Sequence, residues 1–304
     1  MPPGREPAGS DRIAVVIVTY AGDPAMLSQA CAAVDDAGGA EWTIVVDTGG
    51  RARLDGVEIV RMPNRGYGAA ANLGARLALD RGATAVAVLN DDVVVRPGWL
   101  APLVTALRNG AGVAQPKLVL AGTDPAVVNS LGVVLDQTWQ GHDIGDGLVD
   151  GGPGTLDGGP IGIFSGGAVL CSDAFLFATG GFDERYVLYY EDVDLALRGR
   201  ALGWGFEFVP ESVVEHVRGA TTGGTPDRTR YLQERNRLWC AARFAPVSGL
   251  MAACWLSVRR LRHRPRLVHA RALAAGTAGM PVRLVERRRG VLCRQPIGGD
   301  RTSR

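Results

Sequence analysis

Ile13 to Thr19 (IAVVIVT) is a continuous apolar run, too short for a buried helix and rich in β-branched side chains. It predicts a strand covered on both faces. Trp42 to Val46 predicts a second strand ending in Asp47, and Val57 to Val60 a third. Asp23-Pro24 predicts a helix start with Pro in the first turn, continuing through Met26, Leu27 and Ala30. Gly68 to Arg81 predicts the next helix, and Ala83 to Leu89 the strand after it. Strand and helix alternating at this spacing predict an α/β fold with a doubly wound, mostly parallel sheet. Ligands in such sheets bind beyond the carboxyl ends of the strands, where Thr19-Tyr20, Asp47 and Asn90-Asp91-Asp92 fall.

Periodicity weakens over residues 121–160, a Gly- and Asp-rich stretch that predicts a loop excursion with a hairpin. Ile161 to Leu170 predicts a strand interrupted by Ser165-Gly166-Gly167. Glu191 to Leu202 predicts a helix ending at Gly203, and Phe206 to Val209 a strand stopped by Pro210. No run of about 18 apolar residues occurs, so no segment is expected to span a membrane.

Composition changes this picture in three places. The 304 residues suffice for one large core, or a domain with an appendage. The 42 glycines suggest backbone close to a ligand, although a GC-rich genome would raise glycine as well. Cys31, Cys171, Cys240, Cys254 and Cys293 have no metal spacing; with no signal peptide in the first dozen residues, they predict reduced thiols and a cytoplasmic protein. The net charge of +2 hides an asymmetry: between Arg259 and Arg304 thirteen arginines face only Glu286 and Asp300, leaving about −9 elsewhere. The C-terminal stretch therefore reads as a separate electrostatic object.

The polar triplet Asn90-Asp91-Asp92 at a strand end suits a divalent cation such as Mg²⁺ or Mn²⁺, which would bridge to a diphosphate; a turn accounts for it equally well. Tyr189-Tyr190-Glu191-Asp192-Val193-Asp194 puts three acids on the first turn of a helix. Helix-dipole complementation explains one or two of them, and a carboxylate held there ionised suits a general base. His216, in Glu215-His216-Val217-Arg218, is either structural or completes a carboxylate metal site. Gly66-Tyr67-Gly68-Ala69-Ala70-Ala71 matches a dinucleotide-binding fingerprint with Ala in third place, but two strands precede it. An NAD(P)-binding oxidoreductase is the weaker reading.

Taken in order, VVIVTY, VVDTGG, NRGYGAAANLG, LNDDV, FSGGAVL, GGFDERYVLYYEDVDLALRGRALGW, VPESVVEHV and RNRL resemble glycosyltransferase family 2, over about Ile13 to Leu238. Bacterial rhamnosyltransferases and galactofuranosyltransferases are the nearest look-alikes. The resemblance implies a GT-A fold, expected over 13–245; beside it the chain is expected to have a disordered N-terminus over 1–12 and a helical, Arg-rich extension over 246–304. It implies inverting transfer of a sugar, rhamnose favoured, from a nucleotide-diphosphate sugar to a glycan or lipid-linked acceptor, assisted by Mg²⁺ or Mn²⁺. It assigns Asp92 and His216 to the metal and Asp192 to the base. It places Thr19, Tyr20, Asp47, Arg65, Asn72, Asn90 and Asp91 around the donor, and Gly166, Gly167 and Glu191 around the acceptor. Asn90 replaces the first Asp of the family motif, and Thr48-Gly49-Gly50 replaces its Asn-Gly-Ser. A nucleotidyltransferase would need a Gly-rich Arg/Lys signature after the first strand, which is missing, and a non-catalytic sugar-binding module would need no base at Asp192.

Val247 to Val258 (VSGLMAACWLSV) is apolar but short, and Arg259, Arg260, Arg262, Arg264 and Arg266 follow it, with Arg287, Arg288 and Arg289 further on. An apolar segment with Trp255 beside clustered arginines predicts a helix in the interface of an anionic membrane. The alternative is a helix packed on the α/β domain with a solvated basic end. Nucleic acid is not expected as a partner, because the acidic body would repel phosphates.

Overall fold

The computed structural model describes residues 11–20, 23–217 and 225–289. Arg218, Cys293, the side chains of Arg288 and Arg289, and most of the N-terminal segment expected to be disordered lie outside the described residues. Asp11 and Arg12 are held in place, by Arg108 at 2.6 Å and Glu41 at 3.0 Å.

The chain begins β1 (Ile13–Thr19), α1 (Pro24–Ala37), β2 (Trp42–Asp47), β3 (Glu58–Arg61), α2 (Tyr67–Asp80) and β4 (Ala85–Asn90), the expected alternation. Asp23 caps α1, accepting from Ala25 N at 2.9 Å with Pro24 at the first helical position. β1 lies parallel between β2 and β4, with Val18 level with Val46 and Asn90. Its side chains alternate between two apolar layers. Ala14, Val16 and Val18 join Ala70, Ala71, Ala75 and Ala78 of α2, whereas Val15 and Ile17 join Leu27, Ala30 and Val34 of α1. Small residues on α2 let it lie close to the sheet: a Cβ on Gly74 would fall 2.3 Å from Val16 Cγ1.

The chain continues through β5 (Val93–Val95), α3 (Leu100–Arg108), β6 (Val113–Leu120), β7 (Val128–Ser130), β8 (Val133–Leu135), β9 (Gly141–Asp143), β10 (Gly159–Ile161), β11 (Ala168–Ser172), α4 (Asp173–Thr179), α5 (Glu191–Ala201) and β12 (Phe206–His216). β8 and β9 form the expected hairpin. Among the described residues ten strands make one sheet, ordered β10-β12-β6-β11-β4-β1-β2-β3, with β5 on β12 and β7 on β6. β11 runs antiparallel between β4 and β6, so Ser165-Gly166-Gly167 separates two strands at different places in the sheet.

Pro210 does not stop β12. The register shifts between Val209 and Val213, and the strand resumes to His216. Proline is tolerated in such a bulge because the local ladder is already broken.

Three helices follow: α6 (Pro226–Phe244), α7 (Val247–Arg260) and α8 (Arg266–Arg289). α6 and α8 pack closely, Leu238 of α6 filling the space left at Gly276 of α8. The basic extension is not electrostatically separate. Arg283 is buried with its Nη1 2.7 Å from Asp183 Oδ2, and Glu286 pairs with Arg185 at 2.8 Å. Arg243 of α6 continues the network to Asp194 of α5, which Arg198 also contacts.

Candidate active site

The carboxyl ends of β1, β2 and β4 gather Thr19, Tyr20, Asp47, Asn90 and Asp91, as expected. The Thr19 hydroxyl donates to Asp91 Oδ2, and both side chains are buried. Asp47 turns back on its own loop: Gly49 and Gly50 donate to Oδ1 at 2.9 and 2.8 Å, and Ala52 to Oδ2 at 2.9 Å. Gly49 is required there, since a Cβ would fall 1.5 Å from the Tyr20 carbonyl oxygen. Tyr20 is exposed beside this loop.

The bulge in β12 brings His216 opposite Val93 of β5, next to Asp92. His216 Nε2 stands 3.3 Å from Asp92 Oδ1, and Val217 N donates to Asp92 O at 2.9 Å. The other ring nitrogen, Nδ1, lies 2.6 Å from Asn129 Oδ1. With the amide oxygen as acceptor for Nδ1, Nε2 is the ring nitrogen turned toward Asp92. No group of three His, Cys, Asp or Glu side chains placed for a metal forms among the described residues. Asp92 and His216 instead make an open pair, which suits an ion that takes its other ligands from phosphate oxygens and water.

A cleft of about 540 Å³ is lined by Asn90, Gly166, Gly167, Glu191, Asp192 and His216 among others. Asp192 Oδ2 accepts from Gly166 N and Oδ1 from Val193 N, both at 2.8 Å. A Cβ on Gly166 would sit 3.1 Å from that of Asp192, so glycine permits the approach. Burial raises the Asp192 pKa, the two backbone N–H groups oppose the rise, and Asp143 adds to it. Glu191 is pushed up to about 8, first by burial and then by the charge of Asp192. Burial therefore shifts both adjacent carboxyls toward their protonated forms, and Glu191, at about 8, holds its proton at neutral pH.

The turn before α5 is strained. Val187 has φ 69° and ψ −58°, with Leu188 N donating to Tyr186 O at 2.9 Å, a γ-turn rarely adopted by a β-branched residue. Tyr189 and Tyr190 also have positive φ, 67° and 70°. Asn236 of α6 spans this turn: its Nδ2 donates to the carbonyls of Tyr186, Leu188 and Tyr189 at 3.0, 2.9 and 2.7 Å. Arg235 adds a bond to Tyr186 O at 2.8 Å, and Tyr67 N donates to Val187 O at 2.7 Å.

That last contact disposes of the dinucleotide reading. Gly66 and Gly68 fit against Val187 and Phe182, where Cβ atoms would fall 2.2 and 2.9 Å from the nearest atoms, so loop backbone covers the start of α2. The expectation for Asn72 is likewise corrected. It is buried, donating to Phe182 O and accepting from Phe182 N, both at 2.9 Å, so its amide clamps a loop and does not face a donor. Arg65 pairs with Glu184 at 2.8 Å.

Asn129, Asn236, Tyr67, Arg237 and Arg260 were not expected at the site. Tyr67 Oη donates to Gly166 O at 2.9 Å, and Arg237 and Arg260 line the cleft. Asn236 and Arg237 lie within RNRL, the local signal that pointed to them. Asn129 had none.

A mixed sheet with helices on both faces and an acid–histidine pair at its strand ends defines a GT-A type α/β protein. Residues 15–130 match the model of glycosyl transferase family 2. It is 42% identical over 66 residues to the N-acetylglucosaminyl-diphospho-decaprenol L-rhamnosyltransferase of two Mycobacterium tuberculosis strains; the match covers 22% of this chain and 22% of theirs. Its fold is similar to that of GalNAc-T7, solved with UDP, GalNAc and Mn²⁺: TM-score 0.65 and 13% identity over 93% of this chain, but 58% of that one. It is also similar to a Pyrobaculum calidifontis mannosyltransferase in complex with GDP-Man and Mn²⁺, with TM-score 0.51, 14% identity and coverage of 91% and 89%.

Proposed function

We propose that the protein is an inverting glycosyltransferase that moves a sugar, rhamnose favoured, from a nucleotide-diphosphate sugar to a hydroxyl of a glycan or lipid-linked acceptor. The observation that carries this reading is the meeting in one cleft of His216, backed by Asp92, with Glu191 and Asp192. Asp92 and His216 would hold Mg²⁺ or Mn²⁺, which stabilises the charge growing on a departing nucleoside diphosphate. Thr19, Tyr20, Asp47, Asn90 and Asp91 border the donor side, and Arg65 lies beyond them. Gly166 and Gly167 leave room for the acceptor, with Glu191 offering its carboxyl proton to an acceptor oxygen. Asp192 takes the proton from the attacking hydroxyl, and attack opposite the leaving group inverts the anomeric centre. The named donors of the two solved relatives support a nucleotide sugar, and the name of the mycobacterial relative supports rhamnose and a lipid-linked acceptor.

No helix among the described residues is long and apolar enough to cross a membrane. We place the protein on the cytoplasmic side, in peripheral contact with anionic lipid through α7, where Val247, Met251, Trp255 and Val258 are exposed. Residues 13–245 are taken as the transferase domain and 246–304 as an extension, of which the described helices α7 and α8 pack on it. Turnover measured across a panel of nucleotide sugars with Mn²⁺, Mg²⁺ or chelator tests the reading. Metal-dependent release of one nucleoside diphosphate is expected, and no release from any donor would overturn it.

A further inference from the structure

The end of the cleft formed by α6, α7 and the β8–β9 hairpin carries two guanidinium groups. Arg237 is buried, with Nη1 donating to Thr138 O at 2.7 Å and Ala253 O at 3.1 Å, and Nη2 to Ser257 Oγ at 2.6 Å. Its Nε is buried without a hydrogen-bond acceptor. Arg260, the last residue of α7, is half-buried and donates to Gln140 Oε1. Among the described residues neither has a carboxylate in ion-pair contact, whereas Asp183, Asp194 and Glu286 pair with the arginines buried elsewhere.

A buried cation supported only by neutral acceptors is costly unless something compensates its charge. The cost is visible in Arg237, whose pKa is lowered first by burial and next by repulsion from Arg260. Two cations that repel one another on one cleft wall, one with a buried N–H that no acceptor meets, suit an anionic ligand group, with Glu234 and Asp136 offsetting part of their charge without ion-pair contact.

We propose that Arg237 and Arg260 form an anion subsite that receives the phosphate or diphosphate of a lipid-linked acceptor. This rests on the transferase reading above and adds to it where the charged group of the acceptor sits. Arg260 closes α7, so the subsite adjoins the helix whose Met251 and Trp255 are exposed, and a lipid tail would leave the cleft along an apolar surface. In the proposed reading the donor diphosphate would be held through the metal at Asp92 and His216, so this second anionic group needs its own subsite.

Calorimetric titration of the full chain with geranyl diphosphate, geraniol, inorganic pyrophosphate, and UDP or dTDP with Mn²⁺ tests this. Geranyl diphosphate should bind at least about tenfold more tightly than geraniol, and Arg260→Gln should weaken it by about tenfold to a hundredfold, the scale of a charge-assisted hydrogen bond. The same variant should hold its nucleoside diphosphate within about twofold, since a group outside that site contributes little to it. Pyrophosphate binding that depends on Arg260 assigns the subsite to the anion itself; pyrophosphate binding that ignores Arg260, with geranyl diphosphate equally unaffected, overturns it. Equal losses for geranyl and nucleoside diphosphates would also overturn it, by moving both arginines to the donor. Arg237→Lys, which keeps the charge but loses the fork, should weaken geranyl diphosphate without lowering the melting temperature as far as Arg237→Met. A wild type that binds geranyl diphosphate through Arg260 but turns over no nucleotide sugar would remove the transferase reading and keep the subsite. Turnover without Arg260-dependent binding would do the reverse.

Discussion

His216 Nε2 faces Asp92 Oδ1 at 3.3 Å because Asn129 Oδ1 holds the opposite ring nitrogen at 2.6 Å. Asp92→Ala should abolish metal-dependent turnover while leaving the melting temperature close to wild type. Asn129→Ala keeps both ligands but releases the ring, and should weaken Mn²⁺ by about tenfold to a hundredfold, as loss of an outer-shell partner does. Titration of activity with Mn²⁺ measures both. Unchanged half-saturation in Asn129→Ala would return His216 to a structural role.

Asp192→Asn preserves shape and both backbone hydrogen bonds to its carboxyl but removes basicity. Turnover should fall by about two to four orders of magnitude, the usual share of a general base. Binding of the nucleoside diphosphate should stay near wild type. A matching loss in that affinity would make Asp192 a binding residue.

Much of this was legible in the chain. Ile13 to Thr19 could be covered on both faces only in a sheet with two helical layers, and the acids at the ends of β2 and β4 follow from that topology. What escaped depended on long-range contacts. Pro210 looked like a terminator because the bulge that accommodates it is set by pairing with β6 and β5. Asn72 looked like a ligand residue because sequence does not reveal that Phe182 occupies both ends of its amide. α6 was missed as a helix because its inward residues are largely polar: Glu234, Asn236, Arg237 and Arg243 are buried in hydrogen-bonded contacts, which erases apolar periodicity.

Glu191 makes stability depend on pH. The unfolded chain releases this proton at about pH 4.3, whereas the folded protein holds it to about 8. Between those values the folded state binds more protons, so the contribution of Glu191 falls as pH rises and is lost above about 8. Glu191→Gln mimics the protonated form. Melting temperatures from pH 5 to 9 should show wild type declining relative to the variant; parallel curves would place Glu191 in a wetter setting than its burial indicates.

Asn236→Ala tests whether α6 holds the strained turn in front of the base. Three carbonyls lose one donor, which should cost about 2–4 kcal/mol at the usual net value of such bonds. The turn should then relax toward negative φ at Val187, moving Glu191 and Asp192. Turnover should drop more than nucleoside diphosphate affinity, because Asp92 and His216 lie on β4–β5 and β12. Denaturant unfolding and titration separate the two effects, and an equal fall in both would mean general loosening.

The exposed face of α7 tests the membrane reading. Val247, Met251, Trp255 and Val258 follow helical spacing and are each more than half exposed, and the Arg259 guanidinium lies 5.0 Å from the Trp255 ring centroid. An apolar stripe rimmed by arginine suits the headgroup boundary of an anionic bilayer, where each cation near the surface contributes about 1 kcal/mol. Deleting everything after Ala245 would not isolate this face, because α8 covers α6 and supplies Arg283 to Asp183. The informative variant is Met251→Glu with Trp255→Glu, which reverses the character of the stripe and leaves the inward Ala253 and Ser257 untouched. Wild type should float with anionic liposomes at low salt, bind neutral ones weakly and detach as salt rises; the double variant should stay with the soluble fraction at an unchanged melting temperature. If both proteins float alike, contact is made elsewhere. If neither binds anionic vesicles, the stripe is no membrane face and a soluble acceptor gains ground.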